Sequence, residues 1–211
     1  ITTWDEAIPL GNGLLGGLLW GEGSTLRLSL DRGDLWDERP APGNPLAGFT
    51  YARLTELANA HRNEDIKKIV DEPYFKDHPT KIPAGRVELD LADGQRVTSF
   101  ELDLTTATGR AALGSAGSVE AFFSAIDPVA LLRIPGPAPR GLRLLAPESV
   151  KKLGYPDPVR GRDGTAEWFT QTTAEGHVTC VYAGTRRLDG ETLVATTVAY
   201  SPADGTDVVA A

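Results

Sequence analysis

Alternation with a period of two runs through most of this chain and confines it to a layered β structure. In STLRLSL (24–30), Leu26, Leu28 and Leu30 alternate with Arg27 and Ser29. That is the pattern of a strand with one buried face and one wetted face. GRVELDL (85–91) repeats it, with Val87, Leu89 and Leu91 set against Glu88 and Asp90. QRVTSFELDL (95–104), SVEAFFSA (118–125), PVALLRI (128–134), GLRLLA (141–146), TAEWFTQTT (165–173), HVTCVYAG (177–184) and ETLVATTVAY (191–200) read as further strands. Turn clusters fall between runs: ADG at 92–94, AEG at 174–176, LDG at 188–190 and ADG at 203–205. GEG at 21–23 joins LLGGLLW (14–20) to the 24–30 strand as a hairpin. The predicted class is mainly β, with antiparallel pairing.

One segment breaks the rhythm. YARLTELANAHRNEDIKKIV (51–70) has helical spacing, with Leu54, Leu57 and Ala58 on one face and Ile66, Ile69 and Val70 on another. Asn63 suits an N-cap, and Glu64 and Asp65 suit the first turn that follows it. The spacing predicts two short helices, over 50–60 and 64–71, with His61 at the bend between them, solvated or locally hydrogen-bonded and not a ligand. Loops are expected at 37–48, 71–84, 135–140 and 154–164, where prolines exclude interior strand positions. PGPAPR (135–140) has strands of one style on both sides, so it reads as a loop within one architecture and not as a linker.

The chain has 211 residues, a net charge of −8 and a single cysteine, Cys180. An acidic surface repels phosphate, which argues against nucleic acid and anionic membranes as partners. No apolar run approaches the roughly 18 residues of a membrane span, and ITTWDEAIPL lacks the basic and apolar regions of a signal peptide. One cysteine forms no internal disulfide. Cys180 alternates with Val178 and Tyr182 in a strand and, with no Cys/His pattern, reads as a packed thiol. The sequence begins without methionine and contains none, which fits a processed product or a piece of a longer protein.

WDEAIPLGNGLLGGLLWG (4–21) is the least ordinary stretch. Gly11, Gly13 and Gly16 match the spacing of a dinucleotide fingerprint. That motif acts between a strand and a helix N-terminus. Here AIPL is short and carries Pro9, the following residues read as strand, and no βαβ rhythm appears, so no nucleotide cofactor is expected. Glycines 11, 13, 16 and 17 read first as backbone devices for positive φ and close approach. SLDRGDLWDERP (29–40) gathers Asp31, Asp34, Asp37 and Glu38. Their spacing fails the calcium-loop pattern, so no metal is expected, and nothing in it selects a glycosidase carboxylate pair. PTKIPAGRVELDL (79–91) reads as a rigid lead into a strand.

Taken in order, WDEAIPLGNGLLGGLLWG, LRLSLDRGDLWD, PTKIPAGRVELDL, TSFELDLTTATGRA and VEAFFSAIDPVALLRI resemble a known domain. They are similar to the N-terminal β-sandwich of α-L-fucosidase-type glycoside hydrolases, glycoside hydrolase family 95 and its relatives. The match spans about residues 4–135 and thins to generic strands after 140. The resemblance implies an antiparallel β-supersandwich over 1–211, forming one N-terminal domain of a longer, inverting enzyme. In such enzymes a C-terminal (α/α) barrel carries the catalytic carboxylates, so no catalytic residue is expected in this chain and the carbohydrate is met through the full-length enzyme. The Asn12–Gly13 turn would sit at the sandwich tip and wall the sugar pocket. Trp4, Trp20, Asp34 and Trp36 would join it as substrate or interdomain residues.

Two other readings make different demands. A free-standing carbohydrate-binding module needs an exposed aromatic platform, which Trp4, Trp20, Trp36 and Trp168 are candidates to supply. An autonomous enzyme needs Asp31, Asp34 or Glu38 in a pocket with perturbed pKa values. A domain cut from a barrel should also expose a large apolar patch.

Overall fold

The computed structural model describes residues 1–40, 48–74 and 79–203. The chain divides into two compact units, Ile1–Leu35 with Ile82–Ala211, and Trp36–Lys81. In chain order the strands are β1 (Ile8–Gly11), β2 (Leu15–Glu22), β3 (Thr25–Arg32), β4 (Trp36–Asp37), β5 (Thr80–Lys81), β6 (Gly85–Asp90), β7 (Ser99–Asp103) and β8 (Thr108–Ala112). They continue with β9 (Ser118–Phe123), β10 (Val129–Pro135), β11 (Gly141–Leu145), β12 (Val159–Asp163), β13 (Ala166–Thr172), β14 (Val178–Leu188) and β15 (Glu191–Ser201). The α-helices are α1 (Tyr51–Asn59), α2 (Asn63–Tyr74) and α3 (Ser149–Lys152).

The larger unit is an antiparallel β-sandwich. A five-stranded sheet has the order β1-β2-β3-β6-β11, and an eight-stranded sheet has the order β12-β13-β14-β15-β10-β9-β8-β7. The period-two pattern sets the register. Leu15, Leu19, Leu26, Leu28, Leu30, Val87, Leu89 and Leu144 point inward from the small sheet. They meet Ala111, Val119, Ala121, Ala130, Leu132, Ile134, Phe169, Val181, Ala183, Val194 and Val198 from the large one. The small sheet contributes mostly leucine and the large sheet mostly the smaller alanine and valine, a difference in size that lets the two layers interdigitate at interior density. Two glycines extend the same complementarity. A Cβ on Gly109 would lie 3.1 Å from Leu10 and 3.2 Å from Leu19. One on Gly17 would lie 2.6 Å from the Ser29 carbonyl oxygen and 2.9 Å from the Phe123 ring.

The predicted hairpin between 14–20 and 24–30 forms as β2 and β3, with Leu19 opposite Leu28. Residues beyond 140 are integral to the sandwich: β11 completes the small sheet and β12–β15 form half of the large one. PGPAPR connects β10 to β11 within the same unit. Several expectations are corrected. AIPL is a strand despite Pro9, because β1 pairs only with β2 and lies at the sheet edge. Thr108–Ala112 forms β8, with Asp103 Oδ1 accepting from the Thr105 N–H to shape the turn before it. The 154–164 loop contains the edge strand β12, and α3 carries buried Val150 in a stretch with no helical signal.

In the smaller unit, β4 and β5 form a two-residue ladder. Thr50 caps α1 by accepting from the Arg53 N–H at 3.2 Å. Asn63 is the first residue of α2 and not its cap, and α2 continues to Tyr74, past the predicted end at 71. His61 is exposed at the bend with φ 55°, so the chain reverses there by a left-handed residue. The expected loops 37–48 and 71–84 lie partly outside the described residues, as does the ADG turn at 203–205.

Candidate functional site

The turn between β1 and β2 is built by one side chain. Asn12 Oδ1 accepts from the backbone N–H groups of Leu15 at 2.9 Å and Leu14 at 3.2 Å. Its Nδ2 donates to the Ser124 carbonyl at 2.8 Å and the Asp127 carbonyl at 3.3 Å. One asparagine thus closes its own turn and ties the small sheet to the β9–β10 loop of the large sheet. Gly13 follows at φ 95°, exposed and with nothing near its missing side chain. This position needs glycine for its backbone and leaves open space above it. Gly11, Gly16 and Gly17 have ordinary φ values, and of these Gly17 approaches its neighbours most closely.

The loop after β3 joins this end. The Gly33 N–H donates to the Leu14 carbonyl at 2.7 Å. Arg32 holds Asp34 through Nε at 2.7 Å and Nη2 at 3.1 Å, and donates from Nη1 to the Val198 carbonyl of β15 at 2.8 Å. Its guanidinium stands 6.0 Å from the Tyr200 ring centre, and His177 packs against that ring at 5.5 Å. The Asn12 turn, the 124–128 loop and the Arg32–Asp34 pair therefore form one end of the sandwich.

The structure brings Asn12, Gly13 and Asp34 together there. Trp4 and Trp20 lie toward the other end of the β1–β2 hairpin, where the Gly21 N–H donates to the Ile1 carbonyl. Trp4 is 64% exposed in a short 3-10 turn. Trp20 lies on the outer face of the small sheet, its Nε1 donating to Ser29 Oγ at 3.0 Å and its ring facing Arg27 and Arg86 at 4.8 and 5.7 Å. Trp36, 43% exposed, belongs to the smaller unit, with Lys81 at 6.0 Å from its ring. The acidic run is likewise divided. Asp31 and Asp34 fall in the larger unit, while Asp37, buried and chelated by Arg39, and exposed Glu38 fall in the smaller. Among the described residues no group of three or more His, Cys, Asp or Glu side chains is arranged to hold a metal ion. The dinucleotide match fails on structure too: a strand does precede it, but β2 follows, so no helix N-terminus meets a phosphate.

Sequence reasoning missed Arg32, Ser124, Asp127 and Tyr200. Their links to this end bridge more than a hundred residues, as with Asn12 to Ser124 and Arg32 to Val198, and no local pattern announces such pairs.

Two stacked antiparallel sheets with a loop cluster pinned at one end define a β-sandwich domain whose hydrogen-bonded tip is preformed. The family model described as "Glycosyl hydrolase family 65, N-terminal domain" matches residues 1–207, and the chain belongs to that family. It is an N-terminal β-sandwich domain of the glycoside hydrolase kind, the level at which the resemblance drawn from the ordered motifs holds. No curated protein matches the chain.

Proposed function

We propose that this chain is the non-catalytic N-terminal domain of an inverting, α-L-fucosidase-like glycoside hydrolase, and that its Asn12–Gly13 turn helps wall the sugar site of an (α/α) barrel. The observation that carries this reading is the fixed tip. Asn12 makes four hydrogen bonds that hold a turn with Gly13 at its apex, open space above it and the exposed Leu14 beside it. A turn braced that firmly with no side chain at its apex suits close approach by another surface or a ligand. The ordered motifs of residues 4–135 support the fucosidase-like assignment. Catalytic carboxylates sit in the barrel on this reading, and Asp34, already neutralised by Arg32, serves to position the tip.

The test uses the enzyme that carries this domain. Gly13→Val is expected to lower kcat/KM on an aryl α-L-fucoside at least about tenfold, the loss produced by a small displacement of groups around a reacting sugar. The melting of the barrel should stay unchanged. Unaltered kinetics would remove the turn from the sugar site. Hydrolysis by the 211-residue chain alone, lost in Asp34→Asn, would replace this reading with an autonomous enzyme.

A further inference from the structure

The outer face of the eight-stranded sheet carries a groove over strands β12, β13, β14, β15 and β10. Two rows of the ladder build it. Gly161, Trp168, Tyr182, Thr197 and Val129 are successive register partners across all five strands. One step along, Thr170, Cys180 and Ala199 are partners across three. Ala195 and Ala199 line the depression, and two aromatic rings are laid in it. The Trp168 indole lies across Gly161, occupying the space a Cβ would need. The Tyr182 ring lies across Gly184, within 3.3 Å of where a Cβ would be. Each ring is therefore held down by a neighbouring glycine, and both line the groove, whose volume is about 530 Å³. That falls within the roughly 300–1,000 Å³ of small-ligand pockets.

The lining selects the ligand. Asp163 is its one charged residue, and no lysine or arginine contributes. With a chain charge of −8, a phosphate-bearing ligand is repelled. Polar groups nevertheless converge. Among the described residues the Trp168 indole N–H, the Tyr182 and Thr170 hydroxyls and the Asp163 carboxylate have no hydrogen-bond partner, whereas Thr197 Oγ1 already donates to the Pro128 carbonyl. An apolar protein segment laid here would strand those groups away from water, which costs free energy. A ligand with flat C–H faces and a rim of neutral hydroxyls satisfies both the rings and the polar groups.

We propose that this groove is a binding site for a neutral saccharide, with a pyranose stacked on Trp168 and Tyr182 and its hydroxyls paired with Asp163 and Thr170. The inference is independent of the role given to the Asn12 turn, because it requires binding by the 211-residue chain itself. The test is titration of that chain with maltotriose, cellotriose, xylotriose, laminaritriose and 2′-fucosyllactose, followed by tryptophan fluorescence and amide NMR shifts. At least one should bind with Kd of about 1 mM or tighter, with shifts centred on β13–β15. Trp168→Ala and Tyr182→Ala should each weaken binding about tenfold or more, and Tyr51→Ala, on an exposed residue of the smaller unit, should leave it unchanged. Ala199→Arg, which fills the groove while removing no contact, should abolish binding and decides the matter if Trp168→Ala does not fold. Failure of all five sugars to bind would overturn the proposal. So would binding that survives Ala199→Arg, or a chain that dimerises through this face and becomes monomeric in that variant.

Discussion

The small sheet and the groove region of the large sheet turn opposite chemistries outward. On the small sheet, Glu88 is only 7% exposed and lies among three arginines: Arg86 at 2.9 Å, Arg27 at 3.1 Å and Arg143 at 3.1 Å. Arg143 also holds Asp90 at 3.0 Å, and Trp20 lies against Arg27 and Arg86. Around the groove on the large sheet the outward positions include Trp168, Thr170, Cys180, Tyr182 and Ala199, with Asp163 the one charged residue of the lining. Both surfaces are made by the same period-two strands. One spends its polar groups on each other, and the other leaves them unspent. A surface that has paired its charges gains stability and has little left to offer a ligand, whereas an unpaired one is available for recognition.

The largest expected effect strikes the paired surface. Glu88→Ala leaves three guanidinium groups around an empty centre and should cost about 3 kcal/mol in urea unfolding of the chain, as breaking a largely buried ion pair does. The pH dependence sharpens the point. Burial pushes the Glu88 carboxyl up, but hydrogen bonds from Arg143 and Arg27 and the charge of Arg86 outweigh it and hold it below the usual carboxylate range. A depressed folded-state pKa contributes stability that is complete above the unfolded value, about 4.3, and disappears as pH falls through the folded one. The stability gap between the natural chain and Glu88→Gln should therefore be widest near neutrality and close below about pH 4. A gap independent of pH would mean that the carboxylate charge is not what holds this face.

Asn12→Ala comes next and tests the joint between the sheets. Four hydrogen bonds are lost and two backbone N–H groups lose their acceptor, so a cost of about 2 kcal/mol is expected, read as a lower melting temperature. Trp20→Ala should cost about 1–2 kcal/mol from lost area and two cation–π contacts. Tyr182→Ala, 39% exposed and bonded to nothing through its hydroxyl among the described residues, should cost under about 1 kcal/mol. If Tyr182→Ala proved the more damaging of the two, the contrast between a structural face and a recognition face would fall.

Cys180 fits the same division. Its strand neighbours gave no way to choose between inward and outward, and the register sends it to the groove, half-buried. Burial pushes the thiol's pKa up, which keeps it protonated and unreactive at neutral pH.

The strands were legible wherever leucine and valine alternated with charged residues, because one wetted face leaves a period of two in the sequence. β1, β8 and β12 were missed for a common reason. Each is short, and Pro9, Gly109 and Gly161 interrupt its alternation. Those same residues make sense only in three dimensions. Gly109 admits Leu10 and Leu19 from the opposite sheet, and Gly161 admits Trp168 from the next strand. Asn12–Gly13 was legible as a turn from its residue types, but its bonds to Ser124 and Asp127 were not.

The sequence by itself determined the class of structure, a helical interruption beginning near residue 50 and the N-terminal glycoside hydrolase kind of the domain, because local periodicity and ordered motifs need no partner to be read. Only the tertiary structure decided which strands neighbour which, that residues 141–201 complete both sheets, and that two aromatic rings share one groove. Antiparallel pairing joins residues far apart in the chain, and the side of the sheet a residue occupies is fixed only once its partners are known.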